Sequence, residues 1–124
     1  MNKDNRTDKR KTGDIGEDAV VKALSAQGYI LVERNFEVHG VGELDCVFEK
    51  DNEIYIVEVR SRRNLGTYPS SAETVDFRKR QKILRTTGYL IAKHHWYDRN
   101  INFLIGQVTH NRAGMVQNVE FIPF

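Results

Sequence analysis

The first twelve residues, MNKDNRTDKRKT, carry no apolar side chain after Met1 and read as a disordered, mildly basic tail. Apolar positions then recur at helical spacing. Ile15, Ala19, Val20, Val21, Ala23, Leu24 and Ala26 form a wide arc, with Asp18, Lys22 and Ser25 opposite. With Asp14 as N-cap and Gly28 as the stop, this predicts a helix over about residues 15–27. From Tyr29 the pattern becomes extended and runs towards Val38, and His39 to Gly42 reads as a turn. Glu43 to Glu49 alternates, with Leu44, Cys46 and Phe48 on one side and Glu43, Asp45, Val47 and Glu49 on the other. Asp51-Asn52 is a hairpin turn. Ile54 to Val59 is apolar on both faces until Glu58, the mark of a central strand covered on both sides.

Gly66, Pro69 and two serines make Asn64 to Ser71 a loop. A second helix is expected from about Glu73 to His94, its apolar side given by Val75, Ile83, Leu84, Tyr89, Leu90 and Ile91. Two final strands, Asn100 to Val108 and Met115 to Ile122, flank a turn at Asn111 to Gly114. The element order is αβββαββ, a mixed α/β domain with helices packed on a sheet. Residues 13–124 are read as one domain, the size expected for a chain of 124 residues.

Composition removes several classes. A single cysteine, Cys46, forbids an internal disulfide and a zinc finger, and suggests a reducing compartment. No apolar run approaches a membrane span and the N-terminus lacks a signal peptide's apolar core, so a cytoplasmic protein is expected. The net charge of +2 is unevenly spread. Residues 60–85 hold Arg60, Arg62, Arg63, Arg78, Lys79, Arg80, Lys82 and Arg85 against Glu73 and Asp76, a local +6 that leaves −4 for the rest. Such a segment is either a solvated helix face or the footprint of a polyanion, nucleic acid first among them.

Glu58 follows the most hydrophobic stretch of the chain, where a carboxylate is costly unless paired or bound to a metal. A turn at Asp51-Asn52 sets Asp45 opposite it. Two adjacent carboxylates repel, and a divalent cation resolves the conflict; an oxygen-rich pair suits Mg²⁺ or Mn²⁺. The ordinary readings are a salt bridge from Glu58 to an arginine and an exposed edge position for Asp45. Glu17 lies inside the apolar arc of the first helix and should face the sheet, either as a metal or water contact or as the second half of an Asp14–Glu17 capping box. The four histidines form no metal-binding spacing, and Cys46 reads as core.

These residues resemble a known family. Gly13-Asp14-Ile15-Gly16-Glu17-Asp18-Ala19-Val20, Gly28-Tyr29, Arg34-Asn35, Gly42-Glu43-Leu44-Asp45, Val57-Glu58-Val59-Arg60-Ser61-Arg62, then Lys79, Lys82 and Tyr89-Leu90 follow the order seen in the YraN-type family of small bacterial proteins. That family is similar to archaeal Holliday junction resolvases of the PD-(D/E)xK nuclease superfamily. The resemblance spans roughly residues 13–92 and implies a restriction-endonuclease-like core. It puts Asp45 and Glu58 at the two acidic positions, matches Glu17 to the helix glutamate of the resolvase-like branch, and implies possible homodimers. Arg60 stands where active nucleases carry lysine, and Asn102 falls near the place of an aspartate in the fourth strand.

The expectation is a Mg²⁺-dependent endonuclease acting on branched DNA. Asp45 and Glu58 would bind the metal, Glu17 would make an outer contact, and Arg60 would stabilise the transition state. Arg62, Arg63, Arg78, Lys79, Lys82 and Arg85 would grip phosphates. A nucleic-acid-binding module without catalysis and a protein–protein adaptor on the same fold are the alternatives.

Overall fold

In a computed structural model the backbone is described for residues 8–63 and 76–124, and side chains for 13–63 and 76–124. The elements are α1 (Asp8–Ser25), β1 (Ile30–Val38), β2 (Gly42–Lys50), β3 (Glu53–Arg63), α2 (Phe77–His94), β4 (Ile101–His110) and β5 (Val116–Pro123), in the expected order αβββαββ. The strands form one mixed five-stranded sheet in the order β1-β2-β3-β4-β5. Only β3 and β4 run parallel, and α2 lies between them in sequence, as a parallel connection requires.

The hydrophobic run of β3 is explained by its two faces. Ile54 and Ile56 enter a core with Ile83 and Leu90 of α2, together with Val47, Trp96 and Ile105. Val57 enters a second core with Val20 and Leu24 of α1, together with Cys46, Phe48 and Val108. The two helices therefore cover opposite faces. The hairpin turn is as expected: Asp51 and Asn52 both take positive φ, 50° and 68°, the primed geometry that suits twisted strands.

Three boundaries differ from expectation by more than two residues. α1 begins at Asp8, so residues 8–12 of the expected tail are helical, and residues 1–7 lie outside the described residues. Asp14 is consequently inside the helix and not at its N-cap. These polar residues carry no apolar periodicity, so the helix start left no hydrophobic trace. The expected loop at 64–71 and residues 73–75 of the expected second helix also lie outside the described residues. The N-cap of α2 is Asp76, whose Oδ1 accepts the Lys79 N–H at 2.9 Å. β3 runs to Arg63, past Val59, because β4 pairs with it as far as His110.

Leu44 and Cys46 do not share a face. Leu44 belongs to the core beneath α2 and Cys46 to the core beneath α1. The pleat is interrupted between them: Asn35, which faces this point from β1, is left-handed with φ 55°, and Phe36 beyond it also joins the α2 side.

Candidate functional site

The β2–β3 ladder has its last rung at Cys46–Val57. Asp45 and Glu58 are the next residue on each strand. In place of a further backbone rung, the Val59 N–H donates to Asp45 Oδ2 at 2.8 Å. From that point β3 continues against β4 alone, and a cleft of about 610 Å³ opens beneath the start of α2. Gly42, Glu43, Asp45, Glu58, Asp76, Arg78, Lys79, Lys82 and Ile83 line it. The close approach of α2 depends on Gly42, because a Cβ there would stand 2.6 Å from Thr86 Oγ1. Gly16 does the same for α1, where a Cβ would collide with Ser61.

Glu58 is 3% exposed. Its Oε2 is buried without a hydrogen-bond partner, and its Oε1 lies 3.9 Å from Lys79 Nζ. Burial, then the charge of Asp45 and a hydrogen bond shared with it, push the Glu58 carboxyl up to about 8, while Lys79 pulls it down. The Glu58 carboxyl therefore keeps its proton at neutral pH or needs a cation beside it. Among the described residues no three carboxylate, imidazole or thiol groups converge on one point. A hard divalent ion does not require three, since Mg²⁺ is commonly held by one or two carboxylates with water and phosphate completing its shell.

Glu17 is buried as expected but does not line the cleft. Its Oε1 accepts from Arg34 Nε at 3.1 Å and from Asn35 Nδ2 at 3.2 Å, and Arg34 NH1 also meets Asp18 at 2.7 Å. The capping box does not describe it, because α1 starts at Asp8; it ties α1 to β1 at the point where Asn35 faces Asp45. Arg34-Asn35 stood in the sequence as a motif, yet nothing in the spacing assigned it to Glu17.

The basic residues divide. Arg78, Lys79 and Lys82 face the cleft, whereas Arg85 is exposed outside it. Arg60 and Arg62 follow Glu58 at two-residue intervals on β3, and Arg62 Nε reaches Thr109 Oγ1 at 3.5 Å. Arg63, exposed, ends the strand opposite His110. Asn102 is remote from the site, pairing with Tyr55, three rungs from Glu58–Ile105. Its Nδ2 donates to Glu53 Oε1 and to the Ile54 carbonyl, both at 3.2 Å, which makes it a strand-end clasp. Cys46 is an inert core thiol, pushed up to about 12 by burial and then by the fields of Glu17 and Asp45.

A family model described as "Uncharacterised protein family UPF0102" matches residues 16–109, a span that holds Glu17, Asp45, Glu58, the basic helix and Asn102 together. The chain belongs to the UPF0102 family, the YraN type. A UPF0102 protein of Dictyoglomus turgidum is 32% identical over 114 residues, covering 92% of this chain and 95% of the relative. One from Clostridium acetobutylicum is 35% identical over 113 residues, covering 91% of each. A solved structure, an fdxN element excision controlling factor protein from Anabaena variabilis, matches at a TM-score of 0.36 and 13% identity, covering 86% of this chain and 98% of that one, too loose to bear on function. Among the described residues no helix is long and apolar enough to cross a membrane.

Proposed function

We propose that the cleft is a divalent-cation site for nucleic acid on a restriction-endonuclease-like core, hydrolysing phosphodiester bonds in DNA, branched DNA in particular. Glu58 carries this reading. It is a buried carboxyl beside Asp45, with one oxygen unpartnered and its titration raised to about 8. Unmet acceptor capacity next to a second carboxylate is costly to a fold and useful to a hard cation. Asp45 and Glu58 would hold Mg²⁺ or Mn²⁺. Such a cation, when bound, supplies charge neutralisation at a scissile phosphate and acidifies water.

The chain's own residues do the rest. The Val59 N–H fixes Asp45. Lys79 restrains the rise of Glu58. Arg78 and Lys82 bind phosphate without reading sequence, and Arg62, Arg63 and Arg85 extend that affinity beyond the cleft. Arg60 offers charge to the transition state, and a guanidinium is a poor proton-transfer group. Glu17, engaged by Arg34 and Asn35, positions β1 rather than touching substrate. Symmetric cutting of a junction would need two sites and hence a homodimer on DNA, a state light scattering reads directly.

The Lys79–Glu58 contact of 3.9 Å favours a second reading. There the ammonium supplies the countercharge itself, and the site grips nucleic acid without cutting.

The test incubates wild type and Asp45→Asn, which keeps an acceptor for Val59, with linear, flapped and four-way-junction DNA. Mg²⁺, Mn²⁺ and EDTA are compared at low salt. Metal-dependent nicking by wild type and none by the variant is expected. Binding without cleavage in every metal selects the second reading. No binding at low salt removes both and leaves a protein–protein adaptor.

A further inference from the structure

Phe77 is the first residue of α2 and is 75% exposed. It sits between Asp76 and Arg78, both of which line the cleft. Its place is fixed by the Asp76 cap on the Lys79 N–H, so the ring is not on a loose end. Arg78, Lys79, Arg80 and Lys82 follow it within five residues.

A helix that docks on a protein shows a continuous apolar stripe. Here the next exposed apolar residue along that face, Leu84, is seven residues on, about 10 Å along the axis, with Gln81 between. Arg80 turns away to lie over the Phe124 ring at 5.9 Å. A single exposed aromatic among cations matches the repeating chemistry of a nucleic acid, a base for the ring and phosphates for the charges. The cleft beside it, about 610 Å³, is on the scale of pockets for small molecules, ~300–1,000 Å³, room enough for a nucleotide or two.

We infer that Phe77 stacks on an unpaired base at the mouth of the cleft, and that the site takes nucleic acid with unstacked nucleotides in preference to continuous duplex. The inference rests on the nucleic-acid reading above and assigns its substrate class. Phe77 acts as a specificity residue, and Arg78, Lys79 and Lys82 hold the flanking phosphates.

The test uses the full chain in EDTA, so that binding is read without cleavage. Fluorescence anisotropy follows a labelled oligo(dT) and a duplex of equal length against wild type, Phe77→Ala, Phe77→Leu and Phe77→Trp. Phe77→Ala should weaken binding of the single strand by about 5- to 150-fold, the range that base–aromatic stacking supplies per base. Phe77→Leu should fall between, Phe77→Trp should match or exceed wild type, and duplex binding should stay within about twofold throughout. Equal losses on both probes, or no loss in Phe77→Ala, overturn the inference while wild-type binding stands. Wild type binding neither probe overturns the nucleic-acid reading itself and the inference with it. Thermal melts that superpose confirm that the exposed substitutions leave the fold intact.

Discussion

Glu58→Gln removes a charge while keeping shape, and its effect on stability should depend on pH in a defined way. The carboxyl titrates at an ordinary 4.5 when unfolded and at about 8 when folded. Below pH 4.5 both states hold the proton and Glu58 costs nothing. Between 4.5 and 8 the unfolded chain gives up its proton more readily than the folded one, so stability falls as pH rises. The slope approaches about 1.4 kcal/mol per pH unit, and the loss is complete above pH 8 at about 5 kcal/mol, an upper bound for a carboxyl with a second one beside it. Glutamine pays none of this. Urea unfolding at a series of pH values, compared at equal m, should show the variant close to wild type near pH 4.5 and more stable by about 2–5 kcal/mol near pH 8.5. Mg²⁺ at a hundred times its dissociation constant should return about 2.7 kcal/mol to wild type at the higher pH and nothing to the variant. A difference that stays flat with pH, or a variant that is the less stable protein near pH 8.5, would refute the account of Glu58.

Three further outcomes are expected. Lys79→Met removes the cation that pulls Glu58 down, so the Glu58 titration followed by carbon NMR should move to higher pH; no movement would mean that the 3.9 Å contact carries no field at the carboxyl. Gly42→Val drives a side chain into Thr86, where even a Cβ would stand 2.6 Å from Oγ1, and should destabilise by about 1–3 kcal/mol, with partial rescue by Thr86→Ala in a double-mutant cycle of urea midpoints. At Glu33 burial raises the carboxyl, but hydrogen bonds and charge from Lys93, 2.6 Å away, and His94, 2.9 Å away, outweigh it and hold it below 4.5. Glu33→Gln should therefore cost stability at neutral pH, and the gap from wild type should close as pH falls below 4.5, where the unfolded carboxylate takes up its proton before the native one does.

The site was legible where one turn fixed one register. Asp51-Asn52 sets the hairpin, the hairpin sets Cys46 against Val57, and Asp45 and Glu58 follow as the next pair. The two-sided apolar run of β3 likewise announced a strand between two cores. What escaped the sequence depends on contacts across long separations or on single backbone states. The partners of Glu17 lie seventeen and eighteen residues away, and the left-handed turn at Asn35 that divides Leu44 from Cys46 has no signature stronger than an asparagine. Charge density along the chain put Arg85 in one cluster with Lys79 and Lys82, but a helix distributes consecutive residues around its axis, and only two of these three reach the cleft. Asn102 stood near the place of a family aspartate, but chain order carries no depth along a strand. Three rungs of parallel pairing put it at the far end.

Asp45 completes the edge of a strand as well as holding charge. By accepting the Val59 amide, it couples the ionisation of the carboxyl pair to a backbone proton visible in a nitrogen–proton correlation spectrum. That amide is a built-in indicator: its resonance position and its rate of exchange with solvent will follow whatever enters between Asp45 and Glu58, cation or proton, without a label at the site and before any bond in a substrate is broken.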